Sequence, residues 1–518
     1  MIAEKPDVEN IVIPFDTEKM VALPVNSLLA ISGNSHRYQR RLLIFLCVMY
    51  SFYSFIYIII PILFYMPQIY CNNSDGSQHL CSEAEACLNK YGFDFANDKI
   101  SLITKFNLIC DKKYMDLMGK NYIYFFSGIG CLIISYLSDY YGRKFMLLVS
   151  GIALMFGVSF GLTDTYNKII VGVGFCYCAM ETSLNFSMVY CNETVGSRLR
   201  SRIMSIMFLC GCISLVIANL QSFIFSSYKI YFILPGIVNG ILTIMYFYLV
   251  ETPYYLAKTN QTEKLFQSLS RINEINYSHD NKIKNENKNK LEKHILNDVT
   301  LDDNEQEGTS DIVKDCNSDS LDIRADLEMS KRCAYFIIFC VCIISVNLGI
   351  SFSLLTLSLQ HFGNKNLHLN GICIVLIGTF ILSYSIKYAP GLNRKFTIIS
   401  QNTSVIFLCL SLFMLKYTGF IKTPIGMGFD LIFSAFIAAG GILVNCILPS
   451  YEAELLPTKY RGLACGLELF ACKMSYMIST YLNYAGQIHQ INPMTFCFIP
   501  AMISLVAVKM LPDTNMKK

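Results

Sequence analysis

One charged signature occurs twice, about half a chain apart. Gly142-Arg143-Lys144 returns as Asn393-Arg394-Lys395, Glu193 with Arg200 returns as Glu454 with Arg461, and Glu251-Thr252 returns as Asp513-Thr514. The offsets are 251, 261 and 262 positions in a chain of 518. Each copy stands at the end of an apolar run long enough to cross a bilayer, so the chain reads as two six-helix halves related by an internal repeat. Charge is expensive in hydrocarbon, and these charges collect at one edge of it.

A chain that is 53% hydrophobic and 15% charged has more apolar surface than a soluble fold of ordinary size can bury. The sequence therefore predicts an all-α membrane protein. A helix needs roughly 20 apolar residues to cross the hydrocarbon core, and this criterion places twelve transmembrane helices at 42–66, 117–138, 145–163, 168–190, 203–224, 229–250, 333–357, 367–387, 396–416, 424–447, 462–484 and 493–511. The amino-terminal segment is polar and shows no cleavage site, so the first span is expected to remain as a signal anchor. The implied organisation is a tail at 1–41, a half at 42–256, a linker at 257–332, a second half at 333–511 and a tail at 512–518. No GxxxxGK[ST] loop, HExxH helix or paired CxxC motif occurs, so ATP-driven pumping and metal catalysis lack their usual machinery. No cofactor, metal or enzymatic activity is expected, and no nucleic-acid partner.

Orientation follows from the short loops. Arg37, Arg40, Arg41, Arg143, Lys144, Arg198, Arg200, Arg202, Arg394, Lys395, Lys459 and Arg461 fall on one side, which the positive-inside rule makes cytoplasmic, with both termini. The opposite loop at 67–116 carries Cys71, Cys81, Cys87 and Cys110 and an Asn72-Asn73-Ser74 glycosylation sequon. On the oxidising side these cysteines are expected to form two disulfides, with three pairings open and free thiols as the alternative. The linker contains Asn281-Lys282-Ile283-Lys284-Asn285-Glu286-Asn287-Lys288-Asn289-Lys290, followed by Asp302-Asp303-Asn304-Glu305. This middle part is too polar to bury a core and is expected to be disordered.

Several motifs resemble a known family. Asp139-Tyr140-Tyr141-Gly142-Arg143-Lys144 looks like the signature loop of the major facilitator superfamily, and Glu251-Thr252-Pro253-Tyr254-Tyr255-Leu256 resembles its ESPRWL-type motif. Tyr451 to Arg461 is similar to the AELxPTxxR motif of the organic cation and anion transporters, and Leu102 to Asp111 to their TEWxLVCD segment. The chain departs from these patterns at Ser135, Pro390 and Asn393, and it has no Trp, which marks it as a divergent member. The resemblance implies a major facilitator fold working by alternating access. It also implies a cytoplasmic gate at Asp139, Gly142, Arg143, Glu193, Arg200, Glu454 and Arg461, in which acidic groups at helix ends accept hydrogen bonds from arginines and from a facing helix amino terminus. Lys144 and Lys395 are expected only to anchor topology.

Ionisable groups inside spans are costly unless paired or facing water, and they mark function. Glu181 lies in the middle of the fourth span, with Tyr177 and Asn185 one turn away on the same face. Lys473 lies in the middle of the eleventh. In the family resembled, a basic residue there accompanies anion carriage, so Lys473 tilts the reading toward anions. Two alternatives stand: Glu181 and Lys473 neutralise each other structurally, or Lys473 binds a carboxylate while Glu181 takes a proton or cation. Glu468 is expected to reach the membrane interface. Tyr50, Phe52, Tyr53, Tyr57 and Phe352 are candidates for an aromatic cavity. The expected function is transport of a small organic ion, favouring anions or zwitterions, with a proton or counter-ion as a candidate coupling partner. The expected setting is a monomer in the lipid bilayer of the plasma membrane. A sugar or neutral-metabolite carrier and a non-transporting nutrient sensor are the alternatives.

Overall fold

The structure is a computed structural model that describes residues 25–33, 37–75, 77–95, 101–195, scattered positions between 203 and 217, then 227–246, 248–259, 261–297, 331–358, 394–420, 423–456, 458–488 and 493–512. The long helices among them are α1 (Arg37–Ser54), α2 (Lys113–Tyr141), α3 (Arg143–Gly161), α4 (Tyr166–Thr194), α5 (Ile230–Tyr246), α6 (Lys331–Ser358), α7 (Arg394–Tyr417), α8 (Pro424–Leu455), α9 (Thr458–Ile488) and α10 (Phe498–Met510). They coincide with ten of the twelve expected spans. The fifth falls mostly, and the eighth wholly, outside the described residues. Among the described residues, seven segments are long and apolar enough to cross a membrane, and Ile230–Tyr246 is a shorter apolar helix. At about 1.5 Å per residue, the 29 residues of α2 exceed the bilayer core.

Contacts divide the chain into two units. One comprises Arg41–Asn192, Ser197–Leu249 and Met329–Lys518, and the other comprises Met1–Arg40, Glu193–Gly196 and Val250–Glu328.

In the first unit, α1 ends in a 3-10 turn at Phe55–Ile58 before the short helix Ile59–Leu63. A single residue, Gly142, separates α2 from α3, at φ 94° and ψ 160°, a backbone region that only glycine occupies without strain. Helices α2 and α9 pack antiparallel along most of their length. Asp139 lies against Gly462, Ser135 against Gly466, and Gly128 against Lys473. Further along, Tyr124 meets the ring of Tyr476, and Asn121 accepts from the Thr480 hydroxyl and donates to Tyr481. A small residue at three of these levels lets the backbones approach, as packing without a hydrophobic driving force requires.

The segment after the first span folds around a three-stranded antiparallel sheet of order β2-β1-β3, with β1 at Ile69–Asn72, β2 at Gln78–Cys81 and β3 at Phe93–Phe95. Ile69 pairs with Cys81 on one side and Phe95 on the other. Asn72, the sequon residue, lies at the end of β1, where its side chain accepts from Gln78. The structure selects one of the three pairings: Cys71 bonds to Cys81 and Cys87 to Cys110. A salt-bridge cluster ties the helix Leu102–Phe106 to the turn after α3 and the start of α5, with Lys105 at 2.6 Å and Lys229 at 3.2 Å from one oxygen of Asp164. These lysines hold the Asp164 carboxyl below its ordinary range. Closing loops of this length removes about 3 kcal/mol of unfolded-chain entropy per disulfide. Digestion of unreduced, alkylated protein should therefore release peptides linking Cys71 to Cys81 and Cys87 to Cys110. Recovery of all four cysteines alkylated would put the loop in a reducing compartment.

In the second unit the linker departs from expectation. Residues 281–290, expected to be disordered, lie in a helix, Asn281–Asn297. Asp280 caps it by accepting from the backbone of Lys282 and Ile283, Lys290 pairs with Glu286 one turn away, and Asn273 donates to the Lys284 carbonyl. Among its described side chains, Leu291 is fully buried, in a cluster with Val25, Leu28, Leu29, Leu256, Leu265 and Leu269. A helix this polar can fold when a cap, a buried anchor and a packing partner are supplied. The acidic run at 302–305 lies outside the described residues. Asn276 bridges the end of the helix Val25–Ser32 and the start of α1, donating to the Ser32 and Gly33 carbonyls and accepting from the Tyr38 amide.

Candidate functional site

Two buried charges of opposite sign in the first unit meet each other. Lys473, fully buried on α9, donates to the Glu181 carboxylate on α4, whose side chain is 10% exposed. Helical spacing decides what surrounds them. Tyr177 precedes Glu181 by one turn, and Tyr476 follows Lys473 by one turn, so both rings share the face of the charge they accompany. The Lys473 ammonium lies 4.6 Å from the Tyr476 ring centre and 5.5 Å from that of Tyr177, within cation–π range. Tyr124 of α2 stands edge-on to both rings. The 3-10 turn after α1 brings in Tyr57, whose hydroxyl donates to Glu181 at 3.0 Å while its carbonyl accepts from the Tyr177 hydroxyl.

Of the expected binding residues, Glu181, Lys473 and Tyr177 converge in this way. Asn185 is half-buried one turn further along α4, and Tyr50 is buried two turns before Tyr57. Tyr53, expected as a cavity residue, is committed to packing. Its hydroxyl donates to Asn239 at 2.7 Å, and Asn239 donates to the Gly151 carbonyl, tying α1 to α5 and α3. The side chain of Phe352 lies outside the described residues. Tyr124 and Tyr476 are additions to the expected set. The spacing of Tyr476 from Lys473 carries a signal for it in the sequence, whereas Tyr124 has none, because its place depends on the register of α2 against α9.

The repeated charges form separate contacts. Asp139 pairs with Arg143 at 3.2 Å, and the buried Arg143 also donates to the Ser138 carbonyl. The same carboxylate faces Gly462, early in α9: a methyl added there would lie 2.2 Å from an Asp139 oxygen. An anion at that point interacts favourably with the helix amino terminus, by about 0.3–1 kcal/mol at an exposed site and more where partly buried. Arg461 donates to the Leu456 carbonyl. In the second unit, the buried Glu193 accepts from the Thr252 hydroxyl at 2.6 Å, so two of the repeated motifs meet. Arg200, the Glu454 side chain and residues 513–514 lie outside the described residues. Lys395 does more than anchor topology: it donates to the Leu511 carbonyl just past the end of α10, while Tyr451 donates to that of Pro512. Glu468, expected at the interface, is instead buried and accepts from Ser345. Near it lies Glu452, which belongs to none of the expected sites.

A profile of the Major Facilitator Superfamily matches residues 122–508. The chain belongs to that superfamily. It is similar to solute carrier family 22 member 16 of Xenopus laevis, at 24% identity over 85% of this chain and 72% of the relative, and to the human protein of that name, at 21% over 86% and 73%. An organic cation transporter-like protein of Drosophila melanogaster aligns at 23% identity over 84% of this chain and 74% of its own length. The fold matches the Escherichia coli xylose transporter XylE, with a TM-score of 0.61 for its double-Trp mutant, 13% identity and coverage of 93% and 97%. It also matches the human organic anion transporter MFSD10, with a TM-score of 0.51, 12% identity and coverage of 92% and 100%. This superfamily member is accordingly a multi-pass membrane transporter of the major facilitator fold.

Proposed function

We propose that this carrier translocates a small organic anion or zwitterion by alternating access, at a site formed by Glu181, Lys473 and the tyrosines around them. The ion pair between α4 and α9 carries the reading. It is neutral as a unit, so a substrate with a carboxylate can take Lys473 while its cationic or polar end takes Glu181 and the ring faces of Tyr177 and Tyr476. A neutral sugar offers no charge to replace either partner, and separating the pair for it leaves two uncompensated buried ions. Asp139, Gly142, Arg143, Glu193, Arg200, Glu454 and Arg461 form the gate at the cytoplasmic ends of the halves, with both termini inside and the plasma membrane as the setting.

Purified protein in liposomes, offered labelled organic anions, zwitterions, cations and sugars, tests this. Saturable flux of carboxylate-bearing compounds is expected, with cations lacking a carboxylate and sugars at background. Flux of sugars alone would make it a neutral-metabolite carrier, and ligand binding without flux would make it a sensor.

A further inference from the structure

Away from the Glu181–Lys473 pair, α8 and α9 place two buried carboxyl groups beside each other inside the protein: Glu452, in the last turn of α8, and Glu468, ten residues into α9. Both are more than nine-tenths buried. Glu468 accepts from the Ser345 hydroxyl of α6 at 3.1 Å. Glu452 Oε1 is buried with no hydrogen-bond donor. Two ionised carboxylates cannot share such a site, because each accepts and neither donates, and like charges at this range in a poorly solvated interior repel strongly. One proton resolves both problems: it provides the missing donor and leaves a single negative charge. The charged or titratable groups that face the pair are Arg461 and Cys465 of α9, Cys342 of α6 and, further off, Glu181 of α4, with Asp139 of α2 beside Cys465. Arg461 balances the one remaining charge, so two carboxyls, one proton and one guanidinium make the cluster neutral.

We propose that Glu452 and Glu468 form a proton-binding site, holding one proton between their oxygens while α6, α8 and α9 are packed together. The step is an acid–base equilibrium: the proton comes from water, the O–H bond forms on one glutamate, and the other accepts the hydrogen bond. Loss of the proton puts a second negative charge against the first and drives α8 from α9, so proton occupancy and helix packing are linked. Proton binding here is independent of the substrate, since it needs only the protein and solvent protons.

Infrared difference spectroscopy of the full chain in detergent, produced with isotope-labelled glutamate, reads the site directly. Wild type should show a protonated glutamate carbonyl band at neutral pH that disappears as the medium is made alkaline. Glu452→Gln and Glu468→Gln should each lose that band, because the amide N–H replaces the proton as donor and the remaining carboxylate ionises. Potentiometric titration from neutral to alkaline pH should release one proton fewer from either variant than from wild type. Absence of a glutamate band in wild type, or a band unchanged in both variants, would overturn the proposal. The wild-type measurement decides the matter even if a variant fails to fold.

Discussion

Lys473→Ala should lower the stability of the folded carrier by about 3–5 kcal/mol, a large share of what a typical domain possesses. The cause is the carboxylate left behind: Glu181 is almost fully enclosed, and with its ammonium partner gone it must either stay charged and unpaired or take up a proton. Melting of detergent-purified protein would show the loss, together with a smaller monodisperse fraction after solubilisation. Glu181→Gln combined with Lys473→Gln removes both charges and should recover most of the stability, since two amides can hydrogen-bond where the ions did. Transport separates the roles. If Lys473 receives the substrate carboxylate, the refolded double variant should still lose about one to two decades of apparent affinity for anionic substrates, the value of one charge-assisted contact of about 1.5–3 kcal/mol. Full recovery of anion uptake in the double variant would reduce the pair to scaffolding.

Gly462→Val should reduce flux at least tenfold, equivalent to about 1.4 kcal/mol, while leaving the amount of protein in the membrane nearly unchanged. The added side chain must occupy the volume that the Asp139 carboxylate fills, and that carboxylate is held on its other side by Arg143. The helices α2 and α9 then cannot close at this end, and any state of the cycle that needs them closed is depopulated. Accessibility of a cysteine introduced beside Gly462 to a polar thiol reagent should rise in step with the loss of flux. Asp139→Asn keeps the shape and removes the charge, so comparing the two variants divides the contact into its steric and electrostatic parts. Wild-type flux in both would mean that the contact has no role in the cycle.

Features set by neighbouring residues are legible in the chain alone. The length of an apolar run fixes whether it spans a bilayer, and a duplicated pattern of end charges reveals the internal repeat; neither needs knowledge of a distant partner. The placement of ten described helices over expected spans follows from this, as does the superfamily resemblance, which rests on contiguous motifs such as the one running from Asp139 to Lys144. Glu181 and Lys473 are visible individually because an ion inside a span is costly wherever it sits.

The register of one helix against another decided the rest. Glu181 and Lys473 are 292 positions apart, and two interior charges of opposite sign look the same in sequence whether they neutralise each other or wait for ligands. Tyr124 joins the site only because α2 lies antiparallel to α9 with Asp139 opposite Gly462. Glu452 and Glu468 meet because α8 and α9 both pack against α6, and a motif reading sees the first as one more polar residue at a helix end. The same holds for the linker: whether a polar stretch becomes a helix depended on a place to bury Leu291, and residues as distant as Val25 and Leu28 supply that place. Chain-local free energies, the transfer of apolar side chains and the cost of charge, are written in sequence; pairwise energies between distant segments exist only once packing has chosen the pairs.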